Sequence, residues 1–157
     1  MDFGDAIRKC LVEKYYPLIE GRASRAEFWW LMLFYWLIST GFMVVLALIM
    51  AATILPAAMS GQEPSILTIL LILPVYMATF GFGLFMMPPV VGVTIRRLHD
   101  RNISGWWFLG LMLLCMIPIL NLAIMLAMLV LMLLPGTAGP NRFGADPLAP
   151  QGTGIFE

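Results

Sequence analysis

The chain has 157 residues, of which 61% are hydrophobic and only 11% charged, and its formal net charge is zero. A soluble domain carries about 25% charged residues, so this composition excludes a soluble globular protein and a disordered chain. Without net positive charge the chain has no general field that attracts polyanions, and we expect no nucleic-acid partner. The two cysteines, Cys10 and Cys115, suggest neither a disulfide scaffold nor a metal site, and we expect two free thiols.

The charged residues are confined to a few segments. They leave three charge-free stretches of 35, 32 and 40 residues, at 28–62, 64–95 and 102–141. A helix needs about 20 apolar residues to cross a bilayer, and each stretch exceeds that length. The sequence therefore predicts an all-α fold, a polytopic transmembrane helical bundle.

The first 20 residues predict an amphipathic helix. Apolar side chains recur every four positions, at Phe3, Ile7, Leu11 and Tyr15, with charged residues among those between them. Such a helix lies either in the headgroup plane of the membrane or against the protein's own cytosolic surface, and the sequence leaves both open. Pro17 is predicted to end it.

Two full spans are predicted at 28–55 and 66–95, joined by a short loop at 56–65. Pro74 and the pair Pro88-Pro89 predict a kink in the second span. Pairs of tryptophans stand where apolar segments begin and are typical of the belt at the membrane interface: Trp29, Trp30, Trp106 and Trp107.

The third apolar block, 106–134, is long for one span and contains Pro118 and Asn121 near its middle. It forms either one kinked span or a helix, a break and a second helix that returns. We expect Asn121 to satisfy backbone groups that Pro118 frees. The domain organisation is thus a single membrane domain, 1–147, followed by a C-terminal tail, 148–157.

The count of lysines and arginines predicts the topology. The leader carries five, the 56–65 loop none, and the loop after the second span three. By the positive-inside rule the N-terminus and the loop after the second span are cytoplasmic, and 56–65 is outside. A broken third block returns the tail to the cytoplasm, whereas an unbroken one places it outside. We favour the cytoplasmic tail.

Three motifs hold nearly all the polar chemistry: "GRASRAEFWW", "RRLHDRNISGWW" and "PGTAGPNRFGADP". In this order, separated by apolar segments, they resemble the bacterial inner-membrane family catalogued as domain of unknown function 805. The resemblance extends from about Phe3 to Pro147. It implies a small polytopic protein of the bacterial inner (plasma) membrane, and it implies no established activity.

The polar residues of these motifs form the candidate site. Arginine forks match carboxylates or phosphates, so the set is either a network of interfacial salt bridges that pins helix ends or a pocket for an anionic headgroup or phosphorylated ligand. The salt-bridge interpretation is favoured. Its members are Arg22, Arg25, Glu27, Arg96, Arg97, His99, Asp100, Arg101, Asn141 and Arg142, with Asp146 as a further counter-charge.

Catalysis is disfavoured by the arrangement of the polar residues. His99 and Asp100 are adjacent, so on a helix their side chains point about 100° apart. Ser24 and Ser104 lack the sequence context of a nucleophile, and we expect Ser104 to cap the helix that follows. No cofactor motif is present, and we expect neither a cofactor nor an enzyme.

The most favoured function is a non-enzymatic membrane module whose cytoplasmic arginine-rich motifs bind lipid headgroups or a partner protein. Two alternatives stay open, a subunit of a small-solute channel or transporter and a lipid-modifying membrane enzyme. The expected partners are the lipid bilayer, anionic lipid headgroups, and a protein partner or further copies of the chain. The absence of ionisable residues inside the spans argues against a self-contained ion-coupled pump.

Overall fold

The structure, a computed structural model, describes residues 2–13, 18–63 and 65–149. Within these ranges the regular elements are helices: α1 (Phe3–Arg8), which continues as a π-helical turn (Lys9–Glu13), α2 (Arg25–Ser60), α3 (Ile66–Asp100), α4 (Trp106–Leu114) and α5 (Pro118–Leu133).

The chain divides into two compact units. The motif unit combines Met1–Leu31 with Pro88–Glu157, and the middle unit is Met32–Met87. All three polar motifs lie in the motif unit. The middle unit is built around Phe82 of α3, whose ring lies 6.0 Å from Tyr35 and 5.9 Å from Phe42 of α2.

Two helices, α2 and α3, are long and apolar enough to cross a membrane, with mean hydropathies of 2.4 and 2.1. Two hydroxyl groups in the middle of these helices are satisfied within the helix, since Thr53 and Thr79 each donate to the carbonyl four residues earlier. Such self-satisfaction suits a helix in lipid, where no water compensates a polar group. The predicted all-α membrane bundle with two full spans is confirmed.

The connection between the two long helices is shorter than predicted. α2 continues through Pro56 to Ser60, so the predicted loop 56–65 is shorter. Gly61 ends the helix with a positive φ of 68°, and Gln62 N donates to Ala57 O at 2.9 Å, as at a glycine C-cap. The glycine therefore outweighs the proline as the stop signal. The helix α3 continues without interruption through Pro74 and through Pro88-Pro89.

The N-terminal segment packs on the protein itself. Ala6 and Cys10 are fully buried, and the Phe3 ring meets Trp30 edge to face at 5.6 Å. This contact supports the second of the two predicted placements. The predicted helix is too long at its end, because residues 18–20 are bends. Pro17 lies outside the described residues.

The third apolar block is broken, as predicted for one of its two forms. α4 ends at Leu114 and α5 begins at Pro118, which occupies the first helical position, where no N–H is required. Asn121 Nδ2 donates to Cys115 O at 2.9 Å, and a broken helix leaves that carbonyl without its usual donor. α4 and α5 pack against each other.

Candidate functional site

The three polar motifs meet in the motif unit through their backbones. Ala23 N donates to Arg96 O at 3.1 Å, which joins the first motif to the second. Thr137 N donates to Asp100 O at 2.8 Å, which joins the third motif to the second. The segment that follows α5 therefore lies beside the end of α3, so the α4–α5 pair goes out and returns to the same end.

Asp100 is the centre of one buried ionic cluster, which we call the Asp100 cluster (Arg22, Arg97 and Asp100). Arg22 Nε donates to Asp100 Oδ1 at 2.9 Å, and Arg97 donates to Oδ2. All three side chains are at most 4% exposed. A carboxylate that accepts from two guanidinium groups is well compensated in this dry setting.

The remaining donors of the Asp100 cluster bind backbone carbonyls of the third motif. Arg22 donates to Gly139 O at 2.6 Å and to Thr137 O at 2.5 Å, and Arg97 donates to Leu134 O at the C-terminal end of α5. The carbonyls at a helix C-terminus are the negative end of its dipole and suit a cation. The arginines thus pin the end of α5 to α3, as the favoured salt-bridge interpretation requires.

Gly136 leaves the space that the Asp100 carboxylate occupies. A Cβ built on Gly136 would lie 2.0 Å from Asp100 Oδ2, so no larger residue fits without moving the cluster. A fixed carboxylate held by two arginines has little freedom to move. Gly136 therefore belongs to the site, although the sequence placed it in the third motif without a role.

A second ionic cluster, the Glu27 cluster, consists of Lys9, Cys10, Glu27 and Arg96. Glu27, which is fully buried, pairs with Arg96 and, at 2.6 Å, with Lys9 Nζ. Cys10 Sγ lies 3.7 Å from Glu27 Oε1 and accepts from Arg96 at 3.8 Å. Burial and the neighbouring Glu27 raise the pKa of the Cys10 thiol to about 11.

The start of α2 is shaped by the same motif. Ser24 Oγ accepts from Glu27 N at 3.2 Å, and Ser24 O accepts from Phe28 N, so Ser24 is the N-cap. This serine is therefore engaged in capping. The spacing Ser-x-x-Glu is a sequence signal for such a cap, so the sequence alone could have identified Ser24 as a capping serine.

His99 and Asp100 do not pair. His99 Nδ1 lies 3.2 Å from Gly21 O, and its ring stacks on Phe143 at 4.0 Å between centroids. Both oxygens of Asp100 are already taken by arginines. Asp100 therefore does not orient His99, and the pair lacks the geometry of an acid–base dyad.

The predicted cap at Ser104 is wrong. The N-cap of α4 is Gly105, without a side-chain cap bond, and Ser104 contributes only its carbonyl, which accepts from Trp107 N at 3.1 Å. Ser104 stands one position too early for its hydroxyl to reach the free N–H groups of the first turn. Trp106 and Trp107 are 79% and 63% exposed, in keeping with an outward-facing pair.

The other predicted site residues lie around the two clusters. Arg101 donates to Pro135 O at 2.8 Å, Asn141 donates to His99 O at 3.0 Å, and Arg142 donates to Asn102 O at 3.0 Å. These bonds fasten the third motif to the second at the surface.

Arg25 differs from the other arginines of the motif unit. It is exposed, and its side chain makes no hydrogen bond or ion pair with any residue that the structure describes. It lines a cavity of about 180 Å³ together with Arg22, Arg97, Asp100 and Asp146. Within the described part of the chain, the guanidinium donors of Arg25 are therefore unpaired beside the cavity.

Asp146 faces this cavity with its carboxylate engaged. Gly139 N donates to its Oδ2 at 3.0 Å and Leu148 N to its Oδ1 at 2.9 Å. These two backbone bonds lower the pKa of Asp146 below its usual value. Across the described part of the chain, no group of three or more histidine, cysteine, aspartate or glutamate side chains is arranged to hold a metal ion.

Together these features define a polytopic helical membrane protein with a buried arginine–carboxylate site at one end of its helices. The family model described as "Protein of unknown function (DUF805)" matches residues 16–145, and the chain belongs to this family. The resemblance drawn from the three motifs is thereby confirmed.

Two curated relatives are inner membrane proteins of Escherichia coli (strain K12). YhaH is 33% identical over 136 residues, covering 87% of this chain and 92% of the relative. YhaI is 31% identical over 136 residues, covering 87% and 91%. No solved structure matches the chain at a significant level.

Proposed function

We propose that the protein is a non-enzymatic membrane module that binds the phosphate of an anionic lipid headgroup in the cavity beside Arg25. The observation that carries the proposal is the guanidinium of Arg25, which has no partner among the described residues and lies at a cavity that two further arginines line. Guanidinium donors match phosphate oxygens in pairs.

The charge balance supports an anionic ligand. Three arginines and two carboxylates line the cavity, which leaves one positive charge in excess. Asp100 is already neutralised by Arg22 and Arg97, and Asp146 accepts two backbone bonds, so neither carboxylate compensates Arg25 directly. Ser24 and Arg25 at the N-terminus of α2 also line the cavity, and the positive end of a helix dipole favours an anion.

The proposed orientation places this site in the cytoplasm. The first two motifs carry five of the nine lysines and arginines, and the 56–65 loop carries none. Anionic lipids give the cytoplasmic leaflet its negative surface potential, which brings the ligand to the site.

Retention of lipid by the purified full-length protein tests the proposal. Native mass spectrometry in detergent would compare phosphatidylglycerol with phosphatidylcholine of the same chains. We expect wild type to retain phosphatidylglycerol preferentially and Arg25→Ala to lower that retention about tenfold, the effect of a lost charge-assisted hydrogen bond.

Arg8→Ala is the matched control, because it removes the same charge from a side chain 76% exposed and away from the cavity. It is expected to retain phosphatidylglycerol as wild type does. An equal loss of phosphatidylglycerol retention in both variants would show that retention depends on the total charge of the protein and not on the cavity. Unchanged retention in Arg25→Ala, together with loss of a co-purifying protein, would overturn the lipid proposal in favour of a protein partner.

The engaged side chains support the non-enzymatic part of the proposal. Asp100 does not orient His99, and Ser24 Oγ is engaged with Glu27 N. The bound lipid is expected to keep its mass after prolonged incubation with the protein. A change in lipid mass that His99→Phe abolishes would contradict a non-enzymatic role.

A further inference from the structure

A second, apolar groove opens on another part of the motif unit. It has a volume of about 450 Å³, and none of the residues that line it lines the cavity beside Arg25. One wall is a face of α3, where Val91, Ile95 and His99 recur every four residues. The other wall is the start of α4, from Gly105 to Leu109, and Ile19 lies at its edge.

The polar end of the groove is His99, a residue that is 8% exposed. A carbonyl oxygen only accepts hydrogen bonds, so the contact with Gly21 O assigns the proton of the neutral ring to Nδ1. Nε2 is then an acceptor. It lies 3.3 Å from the point where a Cβ on Gly105 would stand, so it faces the start of α4. Stacking on Phe143 holds the ring in this plane.

Nothing in the described part of the chain uses this acceptor. His99 Nε2 has no hydrogen-bond donor there, and Ser104 Oγ, which also lines the groove, makes no side-chain hydrogen bond. None of the described residues that line the groove is a lysine, arginine, aspartate or glutamate. Its polar end therefore suits an uncharged group that donates a hydrogen bond, and the rest suits an apolar chain.

We propose that this groove binds an uncharged lipid alcohol, whose hydroxyl donates to His99 Nε2 and whose chain lies along α3 towards Val91. His99 and Val91 are eight positions apart, which corresponds to about 12 Å of helix, enough for a segment of a long chain. This groove is separate from the anion site, because the two sites share no described lining residue, and because an anion requires positive charge whereas an uncharged alcohol requires none.

Photolabelling in bilayer nanodiscs of phosphatidylcholine, whose headgroup has no hydroxyl donor, tests this site. The probe is a hexadecanol that carries a mid-chain diazirine, and the matched control is its methyl ether, which keeps the oxygen but cannot donate. We expect the alcohol to label residues 91–109 about fivefold more than the ether, the effect of one net hydrogen bond.

Two variants locate the contacts. His99→Phe keeps an aromatic ring against Phe143 but removes Nε2, so the alcohol and the ether are expected to label equally. Leu109→Trp changes a half-exposed side chain of the lining and fills the groove, so labelling by both probes is expected to fall at least fivefold.

The wild-type comparison decides the proposal even if His99→Phe does not fold. Equal labelling by alcohol and ether in wild type, or labelling that Leu109→Trp leaves unchanged, would overturn it. Arg25→Ala is expected to leave the alcohol preference intact, which distinguishes a failure of this site from a failure of the anion site.

Discussion

The Asp100 cluster and the Glu27 cluster have the same balance of charges but differ in how fully their hydrogen-bond donors are satisfied. Each holds one buried carboxylate between two cations, with a net charge of plus one. Around Asp100, the spare arginine donors bind backbone carbonyls of the third motif. Around Glu27, the network ends in a thiol, in a lysine side chain 26% exposed, and in Arg96 Nε, which is buried and has no hydrogen-bond partner among the described residues.

The difference shows what a buried ion pair requires. Desolvation of the charges is costly, and only complete hydrogen bonding offsets it. The Asp100 cluster meets this condition and joins all three motifs, whereas the Glu27 cluster joins only the N-terminal segment to α2 and α3. We therefore expect the Asp100 cluster to contribute more to the free energy of unfolding.

The largest expected effect is that of Asp100→Asn. It leaves Arg22 and Arg97 buried with no counter-charge, so the free energy of unfolding should fall by about 3–5 kcal/mol. Denaturation in mixed micelles measures this change. Glu13→Gln, which removes an exposed carboxylate 3.6 Å from Arg8, is the control and should stay within about 0.5 kcal/mol of wild type. Equal effects of the two variants would show that the cluster contributes nothing.

Glu27→Gln is expected to cost less, about 2 kcal/mol. The amide still accepts from Arg96, and Lys9 can turn to solvent, so only one buried cation loses its counter-charge. The same denaturation assay compares it with Asp100→Asn. A larger loss for Glu27→Gln than for Asp100→Asn would reverse the ranking of the two clusters.

Gly136→Ala tests the fit of the Asp100 carboxylate without removing a charge. The new Cβ would overlap that carboxylate, and we expect a loss of about 1–3 kcal/mol, as for other overpacked sites. Gly110→Ala on α4 is the control, because nothing lies within 4 Å of its Cβ position. That change should be neutral or stabilising by up to about 1 kcal/mol. Equal stability of the Gly136 variant and wild type would refute the tight fit.

The smallest expected effect concerns the reactivity of Cys10. Only the thiolate reacts, and because the pKa of Cys10 is raised to about 11, maleimide labelling of Cys10 in the folded protein at pH 8 should be slow. This raised pKa favours the folded state below about pH 9, and the contribution is lost as the pH rises towards 11. Glu27→Gln removes a neighbouring negative charge and should accelerate labelling. Rapid labelling of the wild type would contradict the buried thiol.

Local signals predicted the helices but not all of their ends. Charge-free length was enough for the two spans. Pro118 marked the position of the break but left one kinked span open as an alternative. The end of α2 depended on whether Pro56 or Gly61 stops the helix, which two competing local signals leave open. The predicted N-cap of α4, Ser104, was wrong by one position. That one position decides whether a side-chain hydroxyl reaches an N–H group of the first turn.

The sequence indicated which polar residues to consider together, but it did not indicate which of them pair with each other. Glu27 meets Arg96 from 69 positions away, and Asp100 meets Arg22 from 78. No periodicity relates such positions, because their contact depends on how the helix ends assemble. For the same reason Lys9, Cys10 and Phe143 were missed, although each stands in or beside a segment already rich in polar residues.

The central claim is that the three motifs share one face of the membrane, which requires the N-terminus and the tail to lie on the same side. Fusions of green fluorescent protein and of alkaline phosphatase after Pro147 measure the side of the tail, and the same reporters at the N-terminus measure the other end. The account predicts fluorescence and no phosphatase activity at both ends. Active phosphatase after Pro147, with a fluorescent N-terminal fusion, would contradict it.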